Sequence, residues 1–150
     1  MKELLGSLIF SAFSNLFQHQ PDLSHFTSQT DEREPNLSFH FANEMWPYLF
    51  WLSCDFDVTK PEMKRQRPDV IFRRRAVHLL NFLVLEVKRR SNPLGIRDDL
   101  AKIKEYWFCD PLAYCFGASV LIDERNRRFS VVLSANHLLD EHSSSPMPTR

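Results

Sequence analysis

The sequence predicts an α/β domain in which a mixed central sheet of about five strands is flanked by helices. Two observations carry this. Apolar residues recur at helical spacing between Leu5 and Tyr48 and again near residues 98–108. Between residues 50 and 134 they form short strand-like runs bounded by polar, Pro-containing or basic segments. The predicted order is helix, helix, three strands, helix, two strands, with no repeat and no linker that would separate two domains. A single domain over residues 1–140 is expected, with its core at about 31–135. A hydrophobic fraction of 43%, with 13% aromatics, suits a chain of 150 residues that buries a core.

Residues 3–18 read as an amphipathic helix, with Leu5, Leu8, Ile9, Ala12, Phe13, Leu16 and Phe17 on one stripe. Glu3, and the breaks at Ser7 and Ser11, argue against a signal peptide. Residues 19–33 are a polar connector. A second helix is predicted from about Glu34 to Trp46. Glu34 favours the positive end of the helix dipole, and Pro35 lacks an N–H that would go unused in a first turn. Leu37, Phe41, Met45 and Tyr48 share its stripe, and Pro47 ends it. The aromatics Trp46, Tyr48, Phe50 and Trp51 are assigned to the core, with a dimer interface as the alternative.

A strand is expected within Phe50–Val58, most clearly over Leu52–Val58, followed by a basic connector at 59–67. A short strand enters through Pro68 and runs to Phe72, and Arg73–His78 turns the chain. Asn81–Lys88 is the most strand-like run. It is apolar on both faces until Glu86 and Lys88, as a central strand covered by helices should be. Residues 89–96 form a loop and about 98–108 a helix. Strands near Cys115–Ile122 and Phe129–Ser134 flank a polar turn, Asp123–Arg127. Residues 141–150 are expected to be a disordered tail.

Composition excludes several functions. Only three Gly are present against nine Pro, without GxGxxG or GxxxxGK[ST], which argues against a glycine-rich nucleotide loop. Three Cys without a CxxC argue against a disulfide framework or structural zinc, and a reducing cytoplasm fits. The six His lack paired-ligand spacing. No apolar stretch is long enough to span a bilayer, so no membrane partner is expected. The net charge is zero, yet residues 60–104 hold thirteen Lys and Arg against five Asp and Glu. A basic middle of this kind is an electrostatic footprint for a phosphate backbone.

In a strand, residues two apart share a face, so Glu86 and Lys88 project together. If residues 68–72 and 81–88 pair as an antiparallel hairpin, Asp69 comes to lie beside Glu86. Two adjacent carboxylates repel and ask for a cation. Hard oxygens without His or Cys suit Mg²⁺ or Mn²⁺. Such an ion activates water and stabilises charge on a phosphoryl oxygen. Lys88 orients the water, helps deprotonate it or stabilises the transition state. Together these are parts for phosphodiester hydrolysis.

Arg67-Pro68-Asp69-Val70-Ile71-Phe72, followed by Phe82-Leu83-Val84-Leu85-Glu86-Val87-Lys88-Arg89, resembles the signature of the PD-(D/E)XK nuclease superfamily. The resemblance covers roughly residues 31–123. It is closest to small, stand-alone bacterial members with a later D..K helix, here Asp99 to Lys102. It implies a restriction-endonuclease-like α/β/α core, metal binding by Asp69 and Glu86, and Lys88 as the catalytic lysine. Members often add an acid from the preceding helix. Glu34 matches best, with Glu32 and Glu44 as competitors. Arg67, Arg73, Arg74 and Lys102 are the expected contacts to a nucleic-acid backbone. The expected function is metal-dependent nuclease activity, on DNA more than RNA by family precedent. A homodimer or a recruiting protein is the expected protein partner. The alternative is a catalytically silent binding or assembly module that keeps the fold.

Overall fold

The longest apolar run, Asn81–Arg89 (β3), lies at the centre of a five-stranded sheet. The computed structural model describes residues 1–23, 33–56, 66–75, 80–89, 95–123 and 126–137. Glu32, most of the 59–67 connector, the later part of the Arg73–His78 turn, most of the 89–96 loop and the 141–150 tail lie outside the described residues.

Ahead of β3 come β1 (Ser53–Phe56) and β2 (Val70–Arg73); after it come β4 (Phe116–Asp123) and β5 (Arg128–Ala135). The sheet order is β1-β2-β3-β4-β5. All neighbours are antiparallel except β3 and β4, which run parallel. A parallel pair needs a crossover, usually helical. Helix α3 (Gly95–Lys102), extended by a wider turn over Ile103–Trp107, provides it. Two helices precede the sheet, α1 (Lys2–His19) and α2 (Arg33–Met45), with a 3₁₀ turn at Trp46–Tyr48.

Strand alternation divides the side chains into two cores. Leu83, Leu85 and Val87 of β3 join Val70, Phe72, Val120 and Ile122 in a cluster with Leu5, Phe13, Leu37 and Phe41 of α1 and α2. Ile71 and Val84 point the other way, into a cluster with Ile103, Trp107, Phe108 and Tyr114. The sheet is thus covered on both faces: α1 and α2 on one, the crossover segment on the other. This is the mixed, helix-flanked sheet expected from the sequence. Aromatic stacking ties α1 to its surroundings. The Phe13 ring lies 4.0 Å from that of Phe41 and 4.7 Å from that of Phe129. No helix among the described residues is long and apolar enough to cross a membrane.

One core assignment is overturned. Trp46, Tyr48, Phe50 and Trp51 are 45%, 36%, 72% and 51% exposed. Pro47 sits within the 3₁₀ turn, which breaks the stripe of α2, and the inward positions pass to Leu49 and Leu52. The strand expected in Phe50–Val58 accordingly begins only at Ser53.

The β4–β5 turn is locked by Asp123, whose carboxylate accepts the Asn126 backbone N–H at 3.2 Å and its side-chain amide at 2.9 Å. Arg127 takes the left-handed conformation there, φ 53°. Its guanidinium donates to the Phe17 carbonyl, in the last turn of α1.

At Gly117, opposite Val84 in the β3–β4 ladder, the crossover packs directly against the sheet. A Cβ there would collide with the Ile103 side chain and lie 3.2 Å from the Phe108 ring. Gly117→Ala is expected to destabilise the fold by about 1–3 kcal/mol through overpacking. Urea unfolding followed by circular dichroism measures this; an unchanged midpoint would mean that the crossover yields freely.

Candidate functional site

The β2–β3 register places Val70 opposite Leu85, so Asp69, one residue before β2, falls beside Glu86. The Asp69 Oδ2 accepts the backbone N–H of Val87 at 2.6 Å. The carboxylate is therefore held at the residue between Glu86 and Lys88. Glu86 and Lys88 share the β3 face opposite Val87. The structure brings together the three residues on which the chemistry was predicted.

Glu86 is 1% exposed. Its Oε1 accepts the Trp107 indole N–H at 3.0 Å and pairs with the Lys102 ammonium at 2.9 Å. Burial, reinforced by the neighbouring Asp69 charge, pushes the Glu86 carboxyl up to about 7, although Lys102 and Trp107 act in the opposite direction. Lys102 also donates to the Arg67 carbonyl at 3.3 Å, and its Nζ lies 5.8 Å from the centre of the Trp107 ring. One helical turn earlier, buried Asp99 accepts the Ser119 hydroxyl at 3.3 Å. Ser119 is the β4 partner of Glu86. Asp99 and Lys102 lie three apart, on one side of the helix, and both face the end of β3.

Trp107 is the residue that sequence reasoning missed. In a regular α-helix, positions 102 and 107 point in well-separated directions. The Phe108 N–H donates instead to the Ile103 carbonyl, five residues back, at 3.0 Å. This wider turn re-aims Trp107 so that it and Lys102 reach the same carboxylate oxygen. Its only trace in the sequence is an aromatic close behind the Asp99–Lys102 pair.

The other predicted residues are dispersed. Arg67 is exposed just before Asp69, at the carboxylate end of the sheet. Arg73 and Arg74 lie at the far end of β2, roughly 13 Å along the chain from Asp69. Arg73 Nε donates to Asp55 at 3.0 Å, and Arg75 pairs with the same carboxylate. Burial opposes ionisation of Asp55, but hydrogen bonds and charge from Arg75 and Arg73 outweigh it and hold its carboxyl below the usual range. Glu44 pairs with His19 Nδ1 at 3.1 Å. Glu34 belongs to α2, but its side chain lies outside what is described.

Asp69 and Glu86 are the described pair suited to a hard divalent ion. Among the described residues no group of three His, Cys, Asp or Glu gathers closely enough to hold a metal. Two carboxylates still fit Mg²⁺, which keeps several waters and takes its remaining ligands from substrate phosphate. Comparison with known proteins found no matching family, no matching curated protein and no matching solved structure.

The raised Glu86 value has a thermodynamic consequence. Between its ordinary 4.5 and about 7, the folded chain binds a proton that the unfolded chain has released. Stability therefore falls as pH rises through that window, by roughly 3 kcal/mol if Glu86 acts alone. Urea unfolding of wild type and Glu86→Gln across this range checks the sign: the wild type should lose stability relative to the variant. Parallel curves would mean that Glu86 ionises normally.

Proposed function

We propose that this chain is a metal-dependent nuclease that hydrolyses phosphodiester bonds, in DNA more than RNA. The observation that carries the reading is the Asp69 carboxylate fixed on the Val87 N–H, between Glu86 and Lys88. Opposed carboxylates with a lysine two residues on are the parts this chemistry requires. The resemblance of the two motif strands to the PD-(D/E)XK superfamily supports the same reading and is the source of the preference for DNA.

Asp69 and Glu86 are the residues that would hold Mg²⁺ or Mn²⁺. Such an ion, when bound, stabilises charge on a phosphoryl oxygen and acidifies a water ligand. Asp69 contributes a position set by the backbone rather than by side-chain packing. Glu86 contributes a carboxylate that Trp107 holds in place through Oε1. Lys88, half-buried on the same face, orients the attacking water and stabilises negative charge that builds on the phosphoryl oxygens. Water adds to phosphorus as one P–O ester bond breaks, and the departing alkoxide takes up a proton. Arg67, on the exposed approach to Asp69, is placed to hold a neighbouring phosphate. Cutting both strands of a duplex with one site per chain favours a two-fold dimer. Three unpaired thiols suit a reducing cytoplasm.

The test is cleavage of single-stranded, duplex and branched DNA, and of RNA, with Mg²⁺ and with Mn²⁺. Asp69→Asn, Glu86→Gln and Lys88→Met should each slow cleavage by about 10²-fold or more while leaving the circular dichroism unchanged. Nucleic-acid binding without cleavage under every condition would favour the silent module. Neither binding nor cleavage would remove the nuclease reading.

A further inference from the structure

Of Asp69, Glu86, Lys88 and Lys102, four of the charged groups at the carboxylate end, three belong to β3 or the residue leading into β2. The fourth, Lys102, comes from the crossover helix on a stem of four methylenes, and its side chain is 24% exposed. Its ammonium rests against Glu86 Oε1 at 2.9 Å, the Arg67 carbonyl at 3.3 Å and the Trp107 ring at 5.8 Å. A carboxylate oxygen, a carbonyl oxygen and an aromatic face are all groups that attract cations. They form a seat for one positive charge beside the two carboxylates.

That seat conflicts with a divalent ion. An ion held by Asp69 and Glu86 would lie within a few ångströms of the ammonium, where like charges in a partly buried site repel strongly. The strand-borne groups cannot withdraw, since Asp69 is tied to the backbone of β3 and Glu86 is enclosed. Lys102 can, because its stem reaches solvent and lysine has many rotamers. Trp107 would keep its hydrogen bond to Oε1, so Glu86 need not turn when the ammonium leaves.

The geometry points to Lys102 as an exchangeable counter-cation: it neutralises Glu86 when no divalent ion is bound, yields that carboxylate when one binds, and is thereby released toward a substrate phosphate. This assignment rests on the metal-dependent reading above. It gives Lys102 a positioning and gating role distinct from that of Lys88, which shares the strand with Glu86 and stays on its face.

The experiment uses the full chain in a Trp46→Phe/Trp51→Phe background, which leaves buried Trp107 as the one indole. Mg²⁺ is titrated by calorimetry and indole emission at about pH 8.5, where a carboxyl pushed up to about 7 is ionised. Lys102→Gln, which keeps a hydrogen-bonding amide but no charge, should bind Mg²⁺ roughly tenfold more tightly or better. Lys102→Arg should bind much as the parent does. A second measurement needs no substitution. In reductive methylation followed by mass spectrometry, the Lys102 amine should react faster with Mg²⁺ present than without it.

An unchanged or weakened affinity in Lys102→Gln overturns the exchange and leaves the metal-dependent reading standing. Lys102 methylation that is indifferent to Mg²⁺ does the same. No Mg²⁺ binding by any variant, with or without a DNA duplex, overturns both.

Discussion

A carboxylate enclosed in an apolar sheet is the constraint around which this fold is arranged. Glu86 sits on a strand whose other side chains, from Leu83 to Val87, are buried in hydrophobic clusters. An ionised carboxylate left alone there would face a penalty of several kcal/mol. The compensation comes from one segment. Trp107 and Lys102 both belong to the crossover between β3 and β4, the element that the parallel pair already demands. The connection that closes the topology also satisfies the charge. Gly117 belongs to the same arrangement, because it lets Ile103 and Phe108 sit close enough to the sheet for that segment to reach Glu86.

Asp69 solves a different problem. The β2–β3 ladder ends at Val70 and Leu85, and beyond it the Val87 N–H donates to the Asp69 carboxylate. A side chain that caps the ladder converts a hydrogen-bonding need of the backbone into a fixed carboxylate. Burial, the Asp69 charge and the two donors then compete at Glu86, and burial with like charge prevails. In a region of low effective dielectric, each of these interactions is stronger than it would be on the surface. A site with unusual ionisation follows from packing alone, before any ligand is considered.

Much of this was legible in the sequence, for identifiable reasons. Strand parity put Glu86 and Lys88 on one face, and an antiparallel hairpin put Asp69 beside them; both are properties of backbone geometry. The runs at Leu5–Phe17 and Asn81–Lys88 announced α1 and β3 because their apolar patterns are long. Other features depend on interactions between distant segments or on local irregularity. Trp107 reaches Glu86 through a turn with five-residue hydrogen bonding, which no periodicity rule anticipates. Lys102, expected to meet phosphate, spends its charge on Glu86 because the helix docks at the carboxylate end. The Trp46–Trp51 aromatics read as core by composition, yet a proline-containing 3₁₀ turn leaves them exposed.

The basic middle of the sequence also looks different once folded. Among the described residues, Arg67 and Lys88 lie at one end of the sheet and Arg73 and Arg75 at the other. Arg73 and Arg75 share one carboxylate, Asp55, at the end remote from Asp69. With roughly 13 Å of strand between them and a screening length of about 8 Å in physiological salt, the far arginines contribute little to the potential at the carboxylates. A phosphate approaching that end meets Lys88, Lys102 and Arg67 against Asp69 and Glu86. Lys102 and Glu86 cancel while they pair, and the site turns more positive toward the phosphate when something else neutralises the carboxylates. Charge at this site is therefore set by a handful of groups within one Debye length, and the cation among them that pairs with Glu86 is carried by the helix rather than by the sheet.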